Sequence, residues 1–338
     1  QIPAYYSSID LTQNGNTLQQ DLSDLIMESH GILIPYNSSS FDSWDVLQMS
    51  DIDFGGDTNN VLLIYGHDDN NEYFNNRTRN FLSTQSSAKT LGTWNREHVF
   101  AKSLANPSLV TNYAGAGTDV HNLRAVDTQM NSFRSNNYFG DGDGNAKITE
   151  SGNFYPGDEW KGDVARALMY MKIRYPTQCD LYDVSYGVST FSNDMPDILL
   201  QWNADDPVSE FELNRNDVIY SYQGNRNPFI DNYALAYFIW GGPKLSNLWD
   251  KAKKEFKNNI QDLRLDIDIS PYVSDGDIFV FSDGIISDFE YSLIDYGGYI
   301  VNEGKAKPVI NFDKNSSGVY TLIFRQKDRS KSFEIIIE

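Results

Sequence analysis

Near Leu263 the apolar residues change period, from recurrences of three and four to short alternating runs. A helix buries a stripe of period 3.6 and a strand a face of period 2, so the change divides the chain into two regions. Beyond it lie β-type runs at 278–281, 291–294, 309–312, 319–324 and 332–337, separated by Asp283-Gly284, Gly297-Gly298 and Ser316-Ser317-Gly318. Runs at this spacing predict an all-β sandwich of about 75 residues. The boundary is expected near 258 to 264, giving domains 1–260 and 261–338.

Before the boundary the pattern is mostly helical. Leu18, Leu22, Leu25 and Ile26 predict an amphipathic helix over 18–30, and a short helix follows around Trp44, Val46 and Leu47. Val61-Leu62-Leu63-Ile64-Tyr65 reads as a buried strand, and the Asn-rich stretch 68–80 as a loop. The clearest helix covers 162–175, with Val164, Leu168 and Met171 on one face and Pro176 ending it. Further helices are expected over 209–220, with its acids towards the N-terminal end, and over 245–257. The fold class is therefore α+β, a mostly helical domain followed by a small all-β sandwich.

Composition narrows the function classes. No apolar run approaches the roughly 18 to 20 residues of a membrane span. The single cysteine, Cys179, excludes an internal disulfide framework, and its flanks carry no nucleophile pattern, so a buried thiol is expected. A net charge of -20 argues against a protein that coats nucleic acid, because such affinity comes from neutralising phosphates. Between Lys89 and Asp180, however, about ten acids face ten bases, so a near-neutral region sits in acidic surroundings. That balance implies weak, salt-sensitive binding of an anionic substrate. Abundant Asn, Ser, Tyr and Gly, few Lys, and an opening at Gln1-Ile2-Pro3 without Met lead us to expect a secreted or surface-exported chain whose leader is either cut away or left out of this sequence.

Three runs concentrate the chemistry: Trp94-Asn95-Arg96-Glu97-His98-Val99, Asp119-Val120-His121-Asn122-Leu123-Arg124 and Asn131-Ser132-Phe133-Arg134. They read as strand, loop, strand and helix, with Asp127 as the helix N-cap. His98 can take a proton from water near neutral pH. The carboxylate of Glu97 and the carboxamide of Asn131 can hold a hard cation through oxygen. Adjacent strand residues point to opposite faces, so Glu97 and His98 can share a site only at a strand end or twist. Asn131 and Arg134 fall on one helical face, and Arg134 can reach a phosphate. Arg166, a cation in an apolar stretch, is a second phosphate candidate, with an ordinary ion pair as the other reading for each arginine. His30 and His67 are expected to be structural.

These runs, with GDEWKGDVARALMYM and QWNADDPVSEFELNRNDVIYSYQGNRNPFID, resemble the endonuclease I family of secreted bacterial nucleases over roughly residues 15–240. The resemblance implies a ββα-metal, or His-Me finger, site in the first domain and metal-dependent, non-specific hydrolysis of DNA, with RNA left open as a further substrate. It implies His98 as general base, Glu97 and Asn131 as ligands of one Mg²⁺ (replaceable by Mn²⁺ or Ca²⁺), and Arg134 and Arg166 on phosphate. Products would carry 5′-phosphate ends. His121 and Asn122 are expected to be structural or orienting. The chain departs from some disulfide-rich relatives in having a single cysteine, and has Ala125 where proline is usual.

Two signals remain. Asp141-Gly142-Asp143-Gly144-Asn145 resembles the start of an EF-hand loop, but Ala146 replaces the glycine of its sixth position and Gly152 the closing acid. Either a second, Ca²⁺ site near Asp141, Asp143 and Asn145 or an acidic turn would account for it. The C-terminal runs are similar to secretion and sorting domains of exported Bacteroidota proteins, which implies export machinery as a partner. The chain is expected to be monomeric. The rival to an enzyme is a non-catalytic nucleic-acid-binding or calcium-binding surface protein.

Overall fold

The computed structural model describes residues 2–68, 74–85 and 90–249, and in the C-terminal region 269–274, 277–282, 290–295, 300–307, 309–311, 318–326 and 329–337. The chain forms two compact units, Ser8–Ala252 and Lys253–Glu338 together with Gln1–Ser7. Among the described residues no helix is long and apolar enough to cross a membrane.

The larger unit holds helices α1 Gly15–Ser29, α2 Ser43–Ser50, α3 Thr128–Arg134, α4 Lys161–Arg174, α5 Asp197–Asp205, α6 Glu210–Gln223, α7 Pro228–Asp231 and α8 Leu235–Trp240. Between them lie short strands β1 Asn60–Leu62, β2 Thr78–Asn80, β3 Trp94–His98, β4 Leu123–Asp127, β5 Lys147–Ile148 and β6 Phe154–Tyr155. Each pair (β1 with β2, β3 with β4, β5 with β6) is a two-stranded antiparallel ribbon. Ribbons this small are not stable alone, so the helices must cover them.

Caps set several helix starts. Asp42 accepts from Trp44 N while Asp45 reaches back to the Asp42 amide, and Ser209 with Glu212 repeats the device at α6. The α4 helix differs from its expected single apolar face: Gly162 through Ile173 are all buried. It is a central helix, enclosed by α1, α5 and α7, and its charged side chains must therefore find partners inside. They do so in a buried ionic cluster that joins four elements. Arg124 of β4 pairs with Asp163 of α4 at 2.8 Å, Arg215 of α6 with Asp51 beyond α2 at 2.8 Å, and Arg166 of α4 with Glu212 of α6 at 2.6 Å.

The apolar run 61–65 is strand only through Leu62. Leu63–Tyr65 turn away, and Tyr65 takes a left-handed φ of 71°. Part of the expected 68–80 loop is instead β2, which pairs Leu62 with Thr78. Helices α5, α7 and α8 had no counterpart in the sequence reading. Most of the helix expected over 245–257 lies outside the described residues. Beneath β3 and β4 sits a core of Ile34, Val46, Leu47, Val61, Leu63, Trp94, Val120, Leu123, Ala125 and Ile219, which makes the ribbon a fixed platform.

In the smaller unit, strands β7 Ile269–Ser274, β8 Asp277–Ser282, β9 Glu290–Asp295, β10 Ile300–Lys305, β11 Val309–Asn311, β12 Gly318–Gln326 and β13 Arg329–Ile337 form two antiparallel sheets. Their orders are β10-β9-β12-β13 and β11-β8-β7. Ile278 and Ile310 of one sheet share a buried cluster with Leu293, Leu322, Phe324 and Ile335 of the other, the packing of a sandwich.

Candidate active site

The β3–β4 ribbon and α3 bring four of the five proposed site residues into one region. The register pairs Glu97 with Arg124 and His98 with Leu123. Asp127 ends β4 and caps α3, its Oδ1 accepting from Gln129 N at 2.7 Å and Met130 N at 3.3 Å, so the helix starts directly off the strand. It lies against the β3 face that carries Asn95 and Glu97. Asn131 Nδ2 donates to Asn95 Oδ1 at 2.8 Å and to Arg96 O at 3.3 Å. Arg134 Nε lies 3.3 Å from Glu97 Oε1, an oxygen that also accepts from the Tyr65 hydroxyl at 3.0 Å.

His98 projects to the other face, as the alternation of a strand requires, and occupies the last position of β3. Its Nε2 is 2.8 Å from Gly117 O and its ring stacks on Tyr36 at 5.5 Å between centroids. Since a carbonyl only accepts, Nε2 carries the proton and Nδ1 is left as the acceptor. The chain beyond His98 is pinned by Asn122, whose carboxamide accepts from Phe100 N at 2.7 Å and donates to Phe100 O at 3.3 Å. Asn122 thus orients the site through the backbone. Arg96 is sandwiched between Tyr36 and Trp44 and serves that packing.

Burial governs the electrostatics. It pushes the His98 imidazole down to about 3, an effect reinforced by Lys102, Arg96 and Arg134 and opposed by the Gly117 carbonyl. His98 is therefore neutral at pH 7. Burial also raises Glu97 above the usual carboxylate range, against the opposing charge of Arg134 and the Tyr65 hydrogen bond.

Oxygen chemistry tests whether a hard cation fits. The two Asn131 donor bonds leave its Oδ1 as a lone-pair donor, and among the described residues Glu97 Oε2 accepts no hydrogen bond while Oε1 has two neighbours. A carboxylate and a carboxamide oxygen are the donors Mg²⁺ prefers, and Mg²⁺ keeps waters to complete its shell. The residues fit such an ion.

Other expectations need correction. Arg166 is fully buried, its Nε and Nη2 donate to the two Glu212 oxygens at 2.6 and 2.8 Å, and Nη1 donates to Asp206 O at 2.8 Å. It is not brought to the site, and its guanidinium has no face left for a phosphate. Arg134 is also buried, and it turns to Glu97 and to the carbonyls of Val99 and Ser135 rather than outward. The Asp141 loop gathers no cation cage: Asp143 pairs with Lys147 at 2.6 Å, and Asp158 accepts from Gly144 N at 2.9 Å. Among the described residues no three or more His, Cys, Asp or Glu side chains are grouped so that they could hold a metal ion. His121 and His30 belong to a buried network around Asp119, which also accepts from Tyr170 and Tyr175, and Cys179 is a buried thiol. Tyr65, Asn95 and the Gly117 carbonyl were missed by sequence reasoning. Only Asn95, two residues before Glu97 and so on its face, had a readable signal.

The chain's similarity to known proteins bears on this geometry. A family model for endonuclease I matches residues 14–234. The chain belongs to the endonuclease I family. It is similar to the extracellular ribonuclease of Bacillus amyloliquefaciens, 38% identical over 224 residues, which is 62% of this chain and 72% of that protein. It is likewise similar to the extracellular ribonuclease of Bacillus subtilis (strain 168), 36% identical over 248 residues, or 70% of this chain and 78% of that protein. This endonuclease is therefore a secreted, metal-dependent nuclease. All of β3, β4 and α3 lie within the matched segment.

Proposed function

We propose that this endonuclease hydrolyses phosphodiester bonds of DNA and RNA without sequence preference, through a His-Me finger site in which His98 deprotonates the attacking water. The observation that carries the reading is the imidazole's tautomer: Nε2 donates to Gly117 O at 2.8 Å, which leaves Nδ1 as the acceptor. Glu97 and Asn131 would hold one divalent cation, Mg²⁺ in preference, with Mn²⁺ or Ca²⁺ able to replace it. When bound, that cation supplies positive charge to the phosphodiester and its departing 3′-oxygen.

The protein's own groups do the rest. Gly117 O fixes the imidazole tautomer, Tyr36 holds the ring plane, and Asn122 fixes the strand end that aims it. Lys102 is exposed and close enough to act on His98 through its charge, so it takes the phosphate contact first assigned to Arg134 and Arg166. Two relatives named as ribonucleases favour RNA as a substrate alongside DNA. Residues 1–260 would form the nuclease domain of a monomer and 261–338 a β-sandwich used in export or sorting.

Supercoiled plasmid and RNA incubated with wild type and His98→Ala test the reading, each in Mg²⁺ and in EDTA. Cleavage by wild type in Mg²⁺, lost in EDTA and reduced by about 10² to 10⁴ in His98→Ala, is expected. Intact plasmid and RNA under every Mg²⁺ and Mn²⁺ condition would instead support a non-catalytic nucleic-acid-binding protein.

A further inference from the structure

We propose that Tyr65 is a positioning residue which, with Arg134, ties down one oxygen of Glu97 and so leaves the other to bind the cation. The inference rests on the reading of Glu97 as a ligand and deepens it. A free glutamate rotates about its last bond and can offer a cation either oxygen or both. Here Oε1 accepts from the Tyr65 hydroxyl at 3.0 Å and lies 3.3 Å from Arg134 Nε in an ion pair without a hydrogen bond, whereas Oε2 accepts no hydrogen bond among the described residues. Fixing one oxygen presents the other in a single orientation, which lowers the entropy lost when a ligand shell closes.

The surroundings of Tyr65 are built to hold it there. It is fully buried, and its φ of 71° is one that a residue with a side chain rarely adopts. The turn is clamped on both sides: Ile64 N donates to Ala125 O of β4 at 2.9 Å, and Trp160 Nε1 donates to Gly66 O at 2.8 Å. The Tyr65 ring packs edge-on against Phe154 at 4.9 Å, and Phe154 packs against Phe139 at 6.2 Å. Arg134 lies over that same Phe139 ring at 4.7 Å. One aromatic cluster therefore positions both groups that hold Oε1. A phenol that only filled the core could have been phenylalanine, and among the described residues Glu97 alone accepts from its hydroxyl.

Mn²⁺ binding to the full chain, followed by electron paramagnetic resonance and calorimetry without substrate, tests this on wild type, Glu97→Gln and Tyr65→Phe. Tyr65→Phe is expected to weaken Mn²⁺ by about 10- to 100-fold, the usual effect of losing a group that orients a ligand. In cleavage assays it should raise the Mg²⁺ concentration for half-maximal rate while the rate at saturating Mg²⁺ recovers, a pattern that general loss of folding does not give. Wild-type Mn²⁺ affinity in Tyr65→Phe, with Glu97→Gln impaired, overturns the role of Tyr65 and leaves Glu97 as a ligand. Equal affinity in wild type and Glu97→Gln instead overturns the reading of Glu97 itself. Should Tyr65→Phe fail to fold, Arg134→Lys removes the other neighbour of Oε1 and carries the same expectation, and unchanged affinity there overturns the proposal.

Discussion

His98 and His121 lie close in the chain's topology and are both driven to about 3 by burial, yet they do different work. His98 ends a strand beside an exposed lysine, whereas His121 packs on Tyr170 at 4.4 Å within the Asp119 network. The His121 shift makes a stability prediction. Its folded value lies below the ordinary 6.5, so the unfolded chain binds the extra proton and stability falls as pH drops from about 6.5 towards 3. Urea unfolding at pH 6.5 and pH 5 should show wild type losing about 2 kcal/mol more than His121→Gln over that step. The comparison with the variant matters because Asp163, raised by burial to about 7, acts in the opposite direction over the same range. Equal losses in both proteins would mean that the imidazole is not buried neutral. Legibility at this scale followed chemistry: Glu97, His98 and Asn131 could be singled out because their side-chain types carry function. The Gly117 carbonyl could not, since every residue has one. Tyr65 was hidden because its turn defies local preference, and only the tertiary clamps on 64 and 66 hold it.

At the scale of elements, α4 and α6 are joined by Arg166 and Glu212, both fully enclosed. Removing one partner strands the other charge in a medium that cannot solvate it. Glu212→Ala is expected to lower unfolding stability by about 3 to 5 kcal/mol, read from denaturant midpoints. A change below about 1 kcal/mol would place Arg166 in contact with solvent and reopen its assignment to phosphate. The sequence marked Arg166 as a cation needing a partner. It could not say that the partner stood 46 positions on, in another helix, because that pairing exists only once α4 and α6 pack. The α3 start was readable from Asp127, a local cap, whereas β2 was lost because three residues are too few for an alternation to show. The six-residue α8, LAYFIW, likewise has no helical period to display.

At the scale of the molecule, two units of different layer type follow from the change of apolar period, and the chemistry sits in the first of them. A chain of net charge -20 that acts on a polyanion must bind it through local cations rather than through the overall field. That picture stands or falls with the identity of the nucleophile. If water, deprotonated by His98, attacks phosphorus and the 3′-oxygen departs with a proton, the fragments carry 5′-phosphate and 3′-hydroxyl ends on both DNA and RNA. An RNA-cleaving enzyme that used the neighbouring 2′-hydroxyl instead would leave 2′,3′-cyclic phosphates and would not cut DNA. The most direct measurement is therefore mass spectrometry of the fragment ends after limited digestion of RNA and DNA in ¹⁸O-labelled water. We predict labelled 5′-phosphates from both polymers, and 2′,3′-cyclic phosphates from RNA with DNA untouched would contradict the account.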